Sequence, residues 1–168
     1  METRDIELML MRTWPAIEER TYDGWVLRFS RGYTKRSNCI NPLYESYFDL
    51  EEKFEYCRKI YKEKRLPIIY KLIDTEVSLM VDEFLEKKGL KKQDMVTVKE
   101  IDLTDVDYNL KSISINWGFS KEWYDFYTAE NNLNTEEKDI LKKLLEKNDK
   151  NNVYVYKSIK NEIIAVAM

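Results

Sequence analysis

The chain has 168 residues, of which 43% are hydrophobic and 35% are charged, and its 28 Lys and Arg face 31 Asp and Glu for a formal net charge of −3. A chain of this length buries about 70% of its unfolded surface, enough for one ordinary domain or two small ones. The near balance of charge argues against a nucleic-acid-binding protein and a polybasic membrane-binding protein, because both need a clear positive excess.

Histidine, cysteine and glycine are absent or too rare to form several common kinds of functional site. No histidine occurs, which excludes Ser-His-Asp and Cys-His catalytic pairs and histidine-ligated metal sites. Cys39 and Cys57 are too few for a disulfide scaffold or a zinc site, so we expect two buried thiols and no metal. The four glycines are isolated from one another, and they cannot form a glycine-rich phosphate-binding loop.

The chain carries no recognisable targeting or membrane-spanning segment. No apolar run approaches 18 residues, and the first residues include the acids Glu2, Asp5 and Glu7 where a signal peptide would be basic and then apolar. We therefore expect a cytoplasmic protein that binds neither nucleic acid nor a membrane.

The first two predicted elements are a helix and a hairpin. Residues 1–15 predict a short helix that ends near Trp14, because the residue before a proline is disfavoured in the helical region. Residues 24–41 predict a β-hairpin with one arm over 25–29, a turn around 30–32 and a return arm over 33–40.

The rest of the first hundred residues alternates between predicted helices and strands. Asp49 is a typical N-cap for a helix that ends by residues 65–67, and Gly89 is a typical C-cap for a second helix. The predicted elements are, in order, the helix from 49, a strand over 68–73, a helix over 76–88 and a strand over 95–101.

The remaining residues predict two helices followed by a hairpin. Residues 102–119 form a connection that can include a short strand at Ile113 and Ile115. Caps then mark the two helices: Ser120 precedes the first, and Asn134 with Glu137 forms a capping box before the second. Residues 148–152 end the second helix, and strands over 153–159 and 163–168 flank a polar turn. The predicted fold class is α+β, a mixed sheet flanked by helices, with domains at 1–103 and 104–168.

This layout and four short motifs resemble one branch of the GNAT acetyltransferases. The motifs are WPA at 14–16, DGWVLR at 23–28, GYTKRSN at 32–38 and NPL at 41–43. In that branch an N-terminal GNAT-like accessory domain precedes the acetyl-CoA-binding domain, and the resemblance covers nearly the whole chain.

The resemblance implies that residues 95–101 are the first strand of the catalytic domain, that 120–147 are its helix pair and that 153–168 are its first hairpin. In the family, the fourth strand, the pyrophosphate-binding loop and a tyrosine that protonates the thiolate follow these elements, and none occurs here. The resemblance therefore implies the N-terminal portion of an enzyme that transfers acetyl from acetyl-CoA to a small amine-bearing acceptor. Alone, this portion is expected to be inactive and to bind acetyl-CoA only weakly, and either a natural or an artificial interruption would produce it.

The last eight residues, NEIIAVAM, predict an interior strand whose outer edge is open. Open edges and wet Ile and Val side chains are unfavourable. We expect residues 163–168 to be covered by a second copy in a homodimer or strand-swapped assembly, or by rearrangement onto the N-terminal half.

Six residues are candidates for substrate binding, and no catalytic or cofactor-binding residue is assigned. Four of these residues lie on the predicted hairpin, where the alternative interpretation is a solvated face of a two-stranded ribbon. The other two lie between the two later helices, where the alternative interpretation is an ordinary helix end followed by a polar loop. The alternative function is a non-catalytic module that binds a small molecule or a partner protein through residues 24–41. The candidates are Arg28, Tyr33, Arg36 and Asn38 on the hairpin, and Glu130 and Asn131 between the helices.

Overall fold

The computed structural model describes residues 2–102, 104, 112–147 and 152–168. Within these ranges lie five α helices and two antiparallel three-stranded sheets, which confirms the predicted α+β class. The elements are α1 (Thr3–Thr13), β1 (Glu18–Tyr22), β2 (Trp25–Phe29), β3 (Ile40–Pro42), α2 (Leu50–Glu63), α3 (Glu76–Lys87), β4 (Ile113–Trp117), α4 (Lys121–Glu130), α5 (Thr135–Lys147), β5 (Val153–Ile159) and β6 (Glu162–Ala167).

The first sheet has the order β1-β2-β3, and β2 is its central strand. β1 and β2 are joined by a tight turn at Asp23 and Gly24, whose φ angles are 41° and 79°. Gly24 is favoured here because its φ angle is positive, and also because a Cβ at this position would lie 2.3 Å from the backbone oxygen of Glu45. The actual hairpin is therefore β1-β2, which the sequence analysis did not predict.

The return arm predicted over residues 33–40 is wrong, because the strand begins only at Ile40. Residues 35–37 form a 3₁₀ turn instead. The Ser37 hydroxyl bonds the backbone N–H and C=O of Thr34, and the Asn38 amide donates to the same carbonyl. Such local side-chain bonds replace the ladder bonds that a strand would need.

Two further predicted strands are not formed. In residues 68–73 only one parallel bridge forms, between Tyr70 and Ile40. Residues 95–101 form no helix or strand and pair with no strand in the described ranges, and Met95 is 86% exposed. β3 has only three residues, so residues 68–73 find too short an edge beside it to form a ladder of hydrogen bonds.

Helices α2 and α3 cover one face of the first sheet. Asp49 caps α2 by accepting a hydrogen bond from Glu51 N at 2.8 Å, and Thr75 caps α3. α3 was predicted within one residue of its bounds, and α2, which was predicted to end by residues 65–67, ends at Glu63. The first core contains Trp25, Leu27, Phe29, Ile40, Phe54, Cys57, Ile60, Tyr61, Val81 and Leu85.

The second sheet has the order β4-β5-β6, and α4 and α5 connect β4 to β5. The predicted capping box is confirmed: Asn134 N donates to Glu137 at 2.9 Å, and Glu137 N donates to Asn134 at 3.0 Å. Leu141, Leu144 and Tyr154 are fully buried between the helices and the sheet. The predicted helix break at 148–152 lies, except for Asn152, outside the described residues.

The final hairpin was predicted correctly as a local element. β6 pairs with β5, which leaves β6 at an edge of the sheet, and Ile164 is 48% exposed. Cover of residues 163–168 by a second copy stays a prediction, as does the domain boundary after residue 103. Among the described helices, none has the length and apolar character needed to cross a membrane.

Candidate functional site

An aromatic junction connects the N-terminal half to the second sheet. The Trp14 ring lies 6.5 Å from the Tyr33 ring and 6.3 Å from the Tyr127 ring of α4. Tyr127 in turn stacks on Trp123 at 4.8 Å. These rings share one buried cluster, so residues 30–38 and helix α4 are held together here.

Arg28 is buried behind this junction and is only 2% exposed. Its guanidinium donates to three backbone carbonyl oxygens, those of Met11 at 3.0 Å, Trp14 at 2.7 Å and Arg36 at 2.7 Å. Its Nε also donates to Glu19 at 3.0 Å. The alternative interpretation of a solvated face is wrong for this residue, because these bonds connect the end of α1 to the loop before β3.

Asn38 organises residues 30–38 from inside the fold. It is 1% exposed, and its Oδ1 accepts hydrogen bonds from Ser30 N at 2.7 Å and Gly32 N at 3.0 Å. Its Nδ2 donates to Thr34 O at 2.7 Å. The side chain therefore satisfies backbone groups of the loop that carries Tyr33 and Arg36.

Tyr33 and Arg36 lie on that loop and contact the junction differently. Burial raises the pKa of the Tyr33 phenol well above its ordinary value, and the neighbouring Tyr127 hydroxyl raises it by a smaller amount. Tyr33 is therefore protonated at neutral pH and can act as a hydrogen-bond group but not as a base. Arg36 is exposed, and its guanidinium lies 5.9 Å from the Trp14 ring centre.

Glu130 and Asn131 lie at the end of α4, as the helix-end interpretation predicted. Glu130 is the last helical residue and is exposed, and Asn131 is the C-cap, donating to Tyr127 O at 2.9 Å. Both lie about one helical turn beyond Tyr127. Tyr33, one of the four candidates on the predicted hairpin, belongs to the aromatic junction, and Glu130 and Asn131 follow the junction residue Tyr127 in sequence. Substrate binding by the six residues stays a prediction.

A cleft beside the junction was missed by the sequence analysis. It has a volume of about 290 Å³ and lies between α1, the chain after it and the end of α5. Lys147 closes one side by donating to Ala16 O at 2.6 Å and to Ile17 O at 3.2 Å. No sequence signal marks it, because its lining comes from positions up to 139 residues apart: Leu8, Met11, Arg12, Pro15, Glu19 and Lys147.

Neither cysteine of the chain is poised as a nucleophile. Burial raises the pKa of both thiols, that of Cys57 to about 12. A thiol whose pKa is raised above its ordinary value holds almost no thiolate at neutral pH. Within the described part of the chain, no group of three or more Asp, Glu, Cys or His is arranged to hold a metal ion.

Comparison with known proteins gives one family match. The model of the family described as "Probable histone acetyltransferase Rv0428c C-terminal" matches residues 1–148. No curated protein and no solved structure matches the chain.

Proposed function

Because the chain belongs to the family of the probable histone acetyltransferase Rv0428c C-terminal domain, we propose that its residues form the N-terminal, acceptor-side portion of a GNAT-like N-acetyltransferase. The complete enzyme transfers an acetyl group from acetyl-CoA to an amine. The family description names histone, whose acetylated groups are amines, and this agrees with an amine acceptor.

The order of elements in the second half supports the GNAT-like assignment. β4 leads into the helix pair α4 and α5, and the antiparallel hairpin β5-β6 follows. This is the order in which a GNAT domain begins: a strand, two helices and then the second and third strands. The strand in the first position is β4, in place of the residues 95–101 that the sequence analysis assigned to it.

The chemistry available at the junction fits an acceptor-binding role. Glu130 is an exposed carboxylate at the start of the α4–α5 connection, and a carboxylate holds an ammonium group by a charge-assisted hydrogen bond. The protonated Tyr33 and the exposed Arg36 lie on the facing loop. Direct transfer needs the two reactants held together and does not need a protein nucleophile.

These 168 residues hold no glycine-rich loop for the coenzyme's pyrophosphate, since their four glycines are isolated. We therefore expect isothermal titration of the chain with acetyl-CoA to give no saturable heat in the micromolar range. Titration with ADP serves as a control for unspecific nucleotide binding. Saturable micromolar binding of acetyl-CoA would contradict the proposed division between acceptor side and cofactor side.

Acetyl transfer is tested with this chain and, in parallel, with any longer polypeptide that contains it. With radiolabelled acetyl-CoA and a lysine-containing peptide, we expect label on the lysine amine, and none when the lysine is replaced by norleucine. Label on a hydroxyl group, or no label on the lysine amine, would contradict the proposed reaction. A non-catalytic binding module is the second candidate, and Tyr47 favours it, because its side chain is 91% exposed while its backbone N–H is bonded to Asp23.

A further inference from the structure

A second surface lies at the β1–β2 turn and the start of α2, on the first sheet. It combines half-exposed or exposed aromatic rings with acidic side chains that project to solvent. We call it the aromatic-acidic surface, and it consists of Tyr22, Glu45, Tyr47, Phe48, Glu52 and Tyr56.

The backbone of this surface at Tyr47 and Phe48 is held in place by hydrogen bonds to the Asp23 carboxylate. The Asp23 carboxylate accepts hydrogen bonds from Tyr47 N at 3.0 Å and from Phe48 N at 2.9 Å. Lys53, whose side chain is fully buried, pairs with the same carboxylate at 3.1 Å and also donates to Asp23 O. Burial on its own raises the pKa of the Asp23 carboxyl, but the two backbone donors and Lys53 outweigh it and lower that pKa. The carboxylate is therefore charged at neutral pH, and the loop is fixed.

The rings on this fixed loop are presented to solvent. The Tyr47 side chain is 91% exposed, and Phe48 is 49% exposed. Tyr22 stacks on Tyr56 with ring centres 3.8 Å apart, and Phe48 lies 5.7 Å from Tyr22. A rigid backbone that exposes contiguous aromatic rings is typical of an interaction surface, because ordering such side chains on binding costs little entropy.

The charge of the surface determines which partner it fits. Residues 44–56 contain five acids and one lysine. Glu51 and Glu55 are ion-paired with Lys88 and Arg58, and the other three acids are Glu45, Asp49 and Glu52. The lysine within residues 44–56 is the buried Lys53, so it offers no positive charge to solvent. No ion pair formed by the described residues involves Glu45, Asp49 or Glu52. Cations are attracted both to these carboxylates and to the faces of the aromatic rings.

We propose that the aromatic-acidic surface docks a Lys- and Arg-rich polypeptide segment. The Tyr47 ring stacks on a cationic side chain of that segment, and Glu45 and Glu52 accept hydrogen bonds from its neighbours. Docking at this surface goes beyond acetyl transfer and does not depend on it.

Fluorescence anisotropy with a labelled 12-residue peptide, in which Lys and Arg alternate with Gly and Ser, tests the proposal. We expect saturable binding that weakens as salt rises, because the exposed charges are screened. Tyr47→Ala should weaken binding about fivefold through the lost cation–π contact. The double variant Glu45→Gln, Glu52→Gln should weaken it by about fivefold or more through lost complementarity.

Matched controls come from the second half of the chain. Trp117→Ala removes an aromatic ring that is 83% exposed, and the double variant Glu136→Gln, Glu146→Gln removes two exposed carboxylates from α5. Both variants should bind the peptide as the wild type does. The Tyr47 ring has little packing to lose, and unchanged circular dichroism of Tyr47→Ala checks that the fold is intact.

Docking at this surface would be overturned by no peptide binding, by equal binding of a Glu-rich peptide, or by equal effects of the control and surface variants. Self-association of the chain in sedimentation runs, if Tyr47→Ala abolishes it, would assign the surface to a second copy and would also overturn the proposal. The assay contains no acetyl-CoA, so failure here is distinguishable from failure of the acetyl-transfer proposal.

Discussion

We expect Arg28→Met to lower the free energy of unfolding by about 3–5 kcal/mol, the range for breaking a buried charged network. Arg28 is 2% exposed and donates to the carbonyls of Met11, Trp14 and Arg36. Methionine fills similar space but has no donor, so three carbonyl oxygens lose their partner inside the fold. Urea denaturation of the two proteins measures the difference.

Two further variants separate burial from charge. Arg20 is exposed and forms an ion pair with Glu18 at 3.4 Å, so Arg20→Met should change stability by no more than about 0.5 kcal/mol. Arg28→Lys should not restore stability, because an ammonium cannot reproduce the planar fork that reaches separate carbonyls. An Arg28→Met protein as stable as the wild type would contradict the structural role and favour the substrate-facing role suggested by the sequence.

The second large effect is expected at Trp123. The Trp123→Ala substitution should lower the free energy of unfolding by about 3–5 kcal/mol. Trp123 is 3% exposed, stacks on Tyr127 at 4.8 Å and meets the Tyr154 ring at 5.4 Å. Its Nε1 also donates to Ala167 O at 2.9 Å, which ties α4 to β6. Loss of the ring should therefore increase amide hydrogen exchange in β6 more than in the first sheet.

Two controls define the cause of that effect. Trp123→Phe keeps an aromatic ring but removes the hydrogen-bond donor. It should lower the free energy of unfolding by about 1 kcal/mol through the lost hydrogen bond, and by a small further amount through looser packing. Trp117→Ala, on the exposed ring of β4, should leave stability nearly unchanged. If exchange in β6 were the same in Trp123→Ala and in the wild type, α4 would not hold that strand in place.

The helices could be predicted from the sequence because their signals are local. Asp49, Ser120 and Asn134 are caps that act within three residues, and the apolar spacing that follows each cap needs no partner to be recognised. Strands depend on distant partners. The alternation in 95–101 marks a possible strand face but cannot supply a neighbour, and β1 was missed because EERTY has no apolar alternation.

The environment of the candidate site residues was harder to predict for a related reason. The sequence marks Arg28 and Asn38 as polar residues on a predicted hairpin, but it does not reveal that their acceptors and donors are backbone atoms up to 17 positions away. Glu130 and Asn131 were easier, since a helix end is again a local signal. The aromatic-acidic surface depends on the Tyr22 and Tyr56 rings stacking across two elements, and chain order alone does not show that contact.

The measurement that tests the GNAT-like assignment most directly is the pairing of the second sheet in solution, by nuclear Overhauser effects between backbone protons. We expect effects between Asn116 and Tyr154, which join β4 to β5, and between Tyr156 and Val166, which join β5 to β6. These pairs would establish the strand, helix, helix and hairpin order on which the proposed function depends. Effects between residues 95–101 and β5, with none from β4, would contradict it.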